Sequence, residues 1–384
     1  MPLRLGTINV WGLPRAFAQD VKSRIQLLAS RFQDLALDVL LIQEAWTDPV
    51  QDTLRNAALE AGFEVADGGL SNGGLMVFSR LPIRSNRFET FRFRGDPERL
   101  AQGEFLGGKG FQTVRLEGEQ GSMHLINTHL HACYRHARPG LNSAVRAAQL
   151  LQIVGTLNEI DGTAVVGGDF NCTRSDLEYE IFSGLTGAFE LGDGQSYPTV
   201  SKSNYYRRHR IRADKQIDYL FVRPNEGEQC RTINPGTLFD ERVRIGLRDR
   251  SLSDHFGFRA SFDSSRVATA MNRTPLFDPK IFDRARDLLR LGQDEADRRE
   301  REHFVSAGNW AVAAVVAAGM RRHPALGRRR FIKSAAGAMA AVALMPTVGY
   351  GMLARLDSDY KRDAFDDARQ ILAQIESRPR AETA

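Results

Sequence analysis

The chain has 384 residues, 42% of them hydrophobic and 26% charged, and only three cysteines; this excludes wholesale disorder, collagen-like structure and a disulfide framework. The formal net charge of +5 falls entirely late in the chain, because residues 1–262 hold 31 basic and 31 acidic side chains while residues 263–384 hold 21 and 16. The first region therefore has no basic footprint to neutralise a phosphate backbone, which argues against nucleic acid as a partner.

Met1 to Val10 alternates apolar residues as a strand does and lacks the apolar run of a signal peptide. β-rich runs follow at 38–43, 74–79, 110–116, 122–129, 163–168, 217–222 and 256–262, and helical spacing fits 18–34, 48–61, 142–158 and 175–184. This alternation predicts helices outside packed sheets. The cysteine spacing, Cys133, Cys172 and Cys230, fits no zinc site.

After Phe262 the pattern changes. A charged helix is predicted from about Lys280 to His303, then an apolar stretch at 304–320, a basic link with Arg321, Arg322, Arg328, Arg329, Arg330 and Lys333, and an uncharged apolar stretch at 334–354. A second charged helix follows, with Leu356, Tyr360, Ala364, Ala368, Ile371, Leu372 and Ile375 on one face. A bilayer needs roughly 20 apolar residues per helical span, so the two stretches read as a membrane hairpin, the alternative being a buried helical hairpin of a soluble domain. The positive-inside rule puts the basic link on the cytoplasmic side and residues 1–262 opposite, although no export signal precedes them. Arg328 to Lys333 also imitates a twin-arginine signal, but so far from the N-terminus it reads as the flank of a membrane helix.

Polar residues stand at the ends of the predicted strands, where an α/β sandwich presents its working edge. They are Asn9, Glu44, Asn127 to His131, Gly168 to Asn171, Asp218, and Ser253 to His255. Each alone has an ordinary structural explanation, such as a turn or a solvated position. Six at strand ends form a set. Glu44 and Asp254 without a thiolate cluster suit a hard oxygen-loving cation such as Mg²⁺, His129 and His255 supply acid–base groups, and Asn9 and Asn171 offer neutral donors. No nucleophile elbow or P-loop is present. Metal-assisted attack of water on a phosphodiester fits the set.

On Thr7 to Asn9, Gln43-Glu44, Thr128 to Leu130, Gly168 to Asn171, Ile217 to Tyr219 and Ser253 to His255, residues 1–262 resemble the endonuclease/exonuclease/phosphatase superfamily. Within it the chain is most similar to the neutral sphingomyelinases. The segments that carry this are Asn9 to Pro14, Gly74 to Ile83, Gly108 to Gly110, and Thr128 to Ala132 with Tyr134. The resemblance implies a two-sheet α/β sandwich over 1–262, followed by an all-helical C-terminal hairpin over 263–384. It implies that Glu44 ligates Mg²⁺ (Mn²⁺ or Co²⁺ in its place) with Asn9 close by, and Asp254 as a further, less defined metal contact. His255 would be the general base, oriented by Asp218. Asp169 would position the water or the base, Asn171 would bind a phosphoryl oxygen, and His129 would stabilise the transition state or assist the leaving group. Lys109 would bind substrate phosphate unless it is an ordinary solvated lysine.

The expected activity is that of a phospholipase C acting on sphingomyelin or a related phospholipid, with the membrane as partner. A nuclease or sugar-phosphate phosphatase on the same fold is the alternative; a catalytically silent membrane scaffold conflicts with the intact motifs. Phe91, Phe93 and Phe105 are candidates for lipid contact or for core, and the basic run Arg207, Arg208, His209, Arg210, Arg212 for a headgroup loop or a solvated turn. Headgroup, membrane sidedness and oligomeric state are not encoded in these motifs.

Overall fold

Near-continuous apolar runs bury both faces of the central strands, and successive side chains point in turn to the seam between the sheets and to the outer cores. The computed structural model describes residues 2–67, 73–93, 108–118, 121–132, 140–266, 279–323 and 330–377; Phe105, Cys133, Tyr134, Arg328 and Arg329 lie outside the described residues. The chain runs β1 (Leu3–Asn9), α1 (Val21–Ala29), β2 (Val39–Gln43), α2 (Asp48–Glu60), β3 (Glu64–Asp67), β4 (Met76–Ser79), β5 (Ile83–Thr90), β6 (Gly110–Gly118), β7 (Gly121–His129), α3 (Leu141–Leu157) and β8 (Ala164–Asp169). It continues through α4 (Leu177–Thr186), β9 (Phe189–Glu190), β10 (Asp218–Arg223), β11 (Glu228–Leu238), β12 (Arg242–Ile245), β13 (Arg248–Ser251) and β14 (Gly257–Arg266) to the long helices α5 (Pro279–Arg322) and α6 (Arg330–Ser377).

Two six-stranded sheets form, in the orders β11-β14-β1-β2-β4-β3 and β5-β6-β7-β8-β10-β9, with β12-β13 a separate hairpin. Leu5, Val39, Leu41, Val77, Val114, Leu125, Val165, Leu220 and Phe258 fill the seam between the sheets. On the outer face of the first sheet, Ile8, Leu40 and Ile42 pack with α1 and α2 residues such as Ile25, Leu28 and Leu54. On the outer face of the second, Ile126, Val166 and Phe221 pack with α3 and α4. This is the two-sheet sandwich expected from the sequence.

Helix α1 is shorter than the 18–34 expected. Asp20 before it takes a left-handed φ of 54°, and turns replace helix after Ser30. Edge strands carried no signal: β5 is mostly exposed and polar, and β11 contains Pro235 at a register shift between Ile233 and Gly236, a bulge position where proline is tolerated. Phe91 and Phe93 are core residues, 1% and 3% exposed.

The tail helices are continuous where the sequence suggested separate charged and apolar pieces. Their bases belong to the second sheet's outer core: Ile281, Phe282, Ala285, Leu288 and Leu289 of α5, with Ala364, Phe365, Ala368, Leu372 and Ile375 of α6, join the cluster built on α3 and α4. Truncating a fully buried phenylalanine costs about 3–5 kcal/mol. Phe365→Ala is therefore expected to speed hydrogen exchange of the β8 amides and lower the melting temperature. Unchanged β8 exchange would show that the tail folds independently.

Candidate active site

Polarity rises along the seam toward one edge. On the inner face of the second sheet, Leu125, Asn127 and His129 follow one another on β7, Val165, Gly167 and Asp169 on β8, and Val222, Leu220 and Asp218 on β10. Strand register sets His129 opposite Asp169 and Asp169 opposite Asp218, so three functional groups form one row. The first sheet repeats the gradient with Leu5, Thr7 and Asn9 on β1, where Asn9 pairs with Gln43. Between the apolar seam and the charged edge, Gln43 donates to Asn127 Oδ1 at 2.7 Å, and Asn127 Nδ2 donates to the carbonyls of Ile42 and Met76 at 2.9 and 3.0 Å. These bonds satisfy buried amides and fix one sheet on the other.

The glycines of the Gly-Gly-Asp run at the end of β8 have distinct reasons. A Cβ on Gly167 would lie 2.7 Å from side-chain atoms of both Leu41 and Leu220; one on Gly168, at φ +134°, would lie 2.0 Å from the Thr128 carbonyl oxygen. Close pairing of β7 with β8, and hence the His129–Asp169 contact, requires glycine there. Glu44 and Asn171 also hold left-handed φ values, 62° and 51°, which are costly for non-glycine residues and occur where function fixes the backbone.

Asn9 Nδ2 donates to Glu44 Oε1 and to Asp169 Oδ2, both at 3.0 Å, while its Oδ1 accepts the Trp11 N–H at 3.0 Å. His255 Nδ1 lies 3.0 Å from Asp218 Oδ2 and 4.0 Å from Asp169 Oδ2. The last strand is anchored by Ser253, whose Oγ donates to the Asn9 carbonyl at 2.6 Å. Lys109 is buried, so it is no solvated lysine; its Nζ donates to the Leu130 carbonyl at 2.9 Å and lies 2.9 Å from His129 Nε2. An ammonium only donates, so Nε2 of His129 is the acceptor. His129 Nε2 is also 3.6 Å from Asp169 Oδ2 and 3.7 Å from Glu44 Oε1. The Asn171 N–H donates to Asp169 Oδ1, and its side-chain amide to the Leu130 carbonyl, both at 3.0 Å.

Asp254 sits beside this cluster in a salt bridge with Arg207, Oδ2 to Nη2 at 2.6 Å, and the same guanidinium approaches His255 Nε2 at 3.4 Å. Arg207 belongs to the basic run that the sequence reads as a headgroup loop or a solvated turn, because such a run carries no sign of which side chain turns inward. Sequence reasoning missed Arg24. That fully buried guanidinium donates to the carbonyls of Val10, Trp11, Gln19 and Leu252 at 2.8–3.0 Å, tying the loop after β1 to the segment before His255. Thr199 was missed as well; its Oγ1 receives the Asp218 N–H at 3.3 Å.

The electrostatics follow from burial of several acids together. Burial, then Asp254, pushes the Glu44 carboxyl up. Burial and neighbouring Asp218 raise Asp169 to about 7, against the pull of His255, Asn9 and Lys109. Burial alone would lower His255, but Asp218, Asp169 and Asp254 outweigh it and lift the imidazole to about 10. Glu44 Oε2 is buried with no hydrogen-bond partner among the described residues. An orphan carboxylate oxygen in a cluster of acids fits a hard divalent cation. Asp169, Asp218 and His255 also converge closely enough to hold an ion, but the His255–Asp218 hydrogen bond already accounts for their proximity. The arrangement can hold a cation at Glu44 and, across the site, a histidine whose proton is managed by a buried aspartate.

Two packed sheets with this histidine–carboxylate row at one edge define a hydrolase-type α/β sandwich. The sequence matches the Endonuclease/Exonuclease/phosphatase family over residues 6–255, and the chain belongs to that family. It is similar to human sphingomyelin phosphodiesterase 2, 24% identical over 278 residues covering 67% of this chain and 64% of the relative. It is also similar to the inositol phosphosphingolipids phospholipase C of Saccharomyces cerevisiae, 22% identical over 331 residues covering 72% and 68%. The chain thus spans about two thirds of the length of these curated relatives. The crystal structure of sphingomyelinase C from Streptomyces griseocarneus superposes with a TM-score of 0.54 at 20% identity, covering 68% of this chain and 99% of that one.

Folding favours the charged form of His255, so its contribution to stability is complete below the ordinary histidine range, near ~6.5, and fades as pH rises above it. In chelator the His255 ring is expected to titrate near pH 10 by NMR, and the stability gap to His255→Gln to shrink across that rise. Titration near ~6.5 would show that the carboxylates do not act on the ring as described.

Proposed function

We propose that the protein is a Mg²⁺-dependent phosphodiesterase of the phospholipase C type, cleaving sphingomyelin or a related phosphosphingolipid to ceramide and a phosphorylated headgroup. Residues 1–262 carry the chemistry and residues 263–384 the lipid contact. The observation that carries this reading is the pairing, in one chain, of the Glu44–Asn9–Asp169 and His255–Asp218 edge with two long apolar helices whose outer parts are exposed. The most apolar 18-residue windows of α5 and α6 have mean hydropathies of 1.3 and 1.5, with 17% and 11% of each buried. Candidate membrane segments next to a neutral catalytic region favour a lipid phosphodiester over DNA.

In this mechanism Nε2 of His255 takes a proton from the attacking water. Asp218 keeps the ring in place through Nδ1 and stabilises the imidazolium that forms. Asn171, turning from the Leu130 carbonyl, and Lys109, held in place by His129 Nε2, donate to phosphoryl oxygens as negative charge builds, and in this way His129 supports the transition state. Glu44, with Asn9 holding its other oxygen and Asp254 nearby, binds the cation. Bound Mg²⁺, or Mn²⁺ or Co²⁺ in its place, supplies positive charge that stabilises the phosphoryl oxygens and offsets the carboxylates that keep His255 protonated.

Full-length protein with Mg²⁺ is expected to release phosphocholine or inositol phosphate from sphingolipid vesicles and to lose this in EDTA. His255→Ala should reduce the rate by about 10²–10⁴-fold at unchanged vesicle binding, and Glu44→Gln should raise the Mg²⁺ concentration required. Nicking of supercoiled plasmid without lipid cleavage would transfer the reading to the nuclease alternative.

A further inference from the structure

The contacts of α5 and α6 fix where their apolar parts point relative to the active-site edge. Helices α3 and α4 begin just after the site motifs, so their N-terminal ends mark that edge and their C-terminal ends mark the opposite one. Ile281 of α5 lies against Gly184 near the C-terminus of α4, whereas Leu291 lies against Gly140 at the N-terminus of α3. Helix α5 therefore climbs toward the active-site edge. Helix α6 returns the other way: Phe365 meets Gly292 beside Ala144, and Ile371 meets Gly155 near the far end of α3. At the edge itself Phe93 links α6 to the segment after β7, with ring centroids 5.6 Å from Phe365, 5.9 Å from Tyr360 and 6.4 Å from His131, two residues beyond His129. The described parts of the two helices beyond Gly292 and Phe365, 293–323 and 330–364, thus project past the edge on which the catalytic row opens.

That projection has two zones. The first is charged and internally paired. Arg362 reaches across to Asp297 at 3.0 Å and to Glu300, Arg298 pairs with Glu295 and Glu302, and Glu295, Arg299, Ser358 and Lys361 are buried. His303 and Tyr350 stack at 5.9 Å where it ends. The second zone is apolar and exposed, including Val315, Val316, Val342 and Met345. Its outer end carries Arg321, Arg322, Arg330 and Lys333. The apolar zone begins at Phe304 on α5 and ends at Ala354 on α6. Measured from Gly292 and from Phe365, each boundary lies about 17 Å along its helix. The two arms therefore agree on one plane.

We propose that the paired charged zone is a rigid spacer that sets the height of the active site above a phospholipid bilayer. The site faces the headgroups, and the level of Gly292 and Phe365 is held about 17 Å from the hydrocarbon boundary. The inference rests on the lipid reading of the tail given above and adds a fixed distance and orientation to it. The loop directly after β1 at this edge carries exposed Phe17. A spacer of fixed length makes productive reach a matter of geometry rather than of tether flexibility.

The test inserts seven helix-forming residues into both arms at once, after Arg301 and after Arg355. Seven residues keep the facing surfaces within about 20° and lengthen the spacer by about 10 Å. Neutron reflectometry of the full chain on a phosphatidylcholine–sphingomyelin bilayer reads the height directly, without any need for turnover. The inserted variant is expected to sit about 10 Å higher. Its hydrolysis of sphingomyelin in vesicles should fall on the order of tenfold or more, while cleavage of a water-soluble short-chain sphingomyelin stays at the parent rate. An unchanged height, or parent-level vesicle hydrolysis at the raised height, would overturn the spacer. The expected height shift with no cleavage of either substrate by the parent would keep the spacer and reject the sphingolipid reading instead.

Discussion

One side-chain amide holds the site together. Asn9 Nδ2 shares its two hydrogens between Glu44 on the first sheet and Asp169 on the second, so a single small group spans the seam and keeps two buried acids from drifting apart. Both acids are costly to bury, and the amide donates to each without adding charge. The surrounding bonds keep Asn9 from turning: its own oxygen takes the Trp11 N–H, and Ser253 takes hold of its carbonyl. Through Ser253 the same residue sets the start of the His255 segment. The glycines at 167 and 168 and the left-handed backbone at Glu44 allow these approaches.

Much of this was legible in the sequence. Buried central strands announced themselves by apolar runs ending in polar residues, as in Val39–Gln43 with Glu44 and Ala164–Asp169, because a strand that leaves a core at a working edge must change polarity there. Edge strands such as β5 and β11 have one ordinary solvated side and no such contrast. The catalytic row was legible as motifs, but its geometry came from register: nothing in Ile217 to Tyr219 tells which strand Asp218 will neighbour. Arg24 and Arg207 were illegible for a different reason. Their roles depend on reaching carbonyls and a carboxylate far along the chain, and an arginine on a helix or in a basic loop looks the same whether it turns inward or outward.

The tail shows where composition and packing diverge. Residues 263–384 look like an appendage because charge and apolar content shift after Phe262. The bases of α5 and α6 nevertheless complete the outer core of the second sheet, where a sandwich of this kind must cover an apolar face. The boundary that matters physically lies inside each helix, where contacts with α3 and α4 give way to contacts between the arms.

That continuity limits where the outer helical arms could be separated from the sandwich. A chain break between β14 and α5 would leave the helix bases docked by the same apolar contacts, so the tail would stay in place without its covalent link. A chain ending at Phe262 would instead expose the greasy flank of α3 and aggregate. A diffusible form requires a short cut joining α5 to α6 near His303 and Tyr350, discarding only the outer arms. Protein engineering that shortens the tail at that level would keep the helix bases that cover α3 and α4.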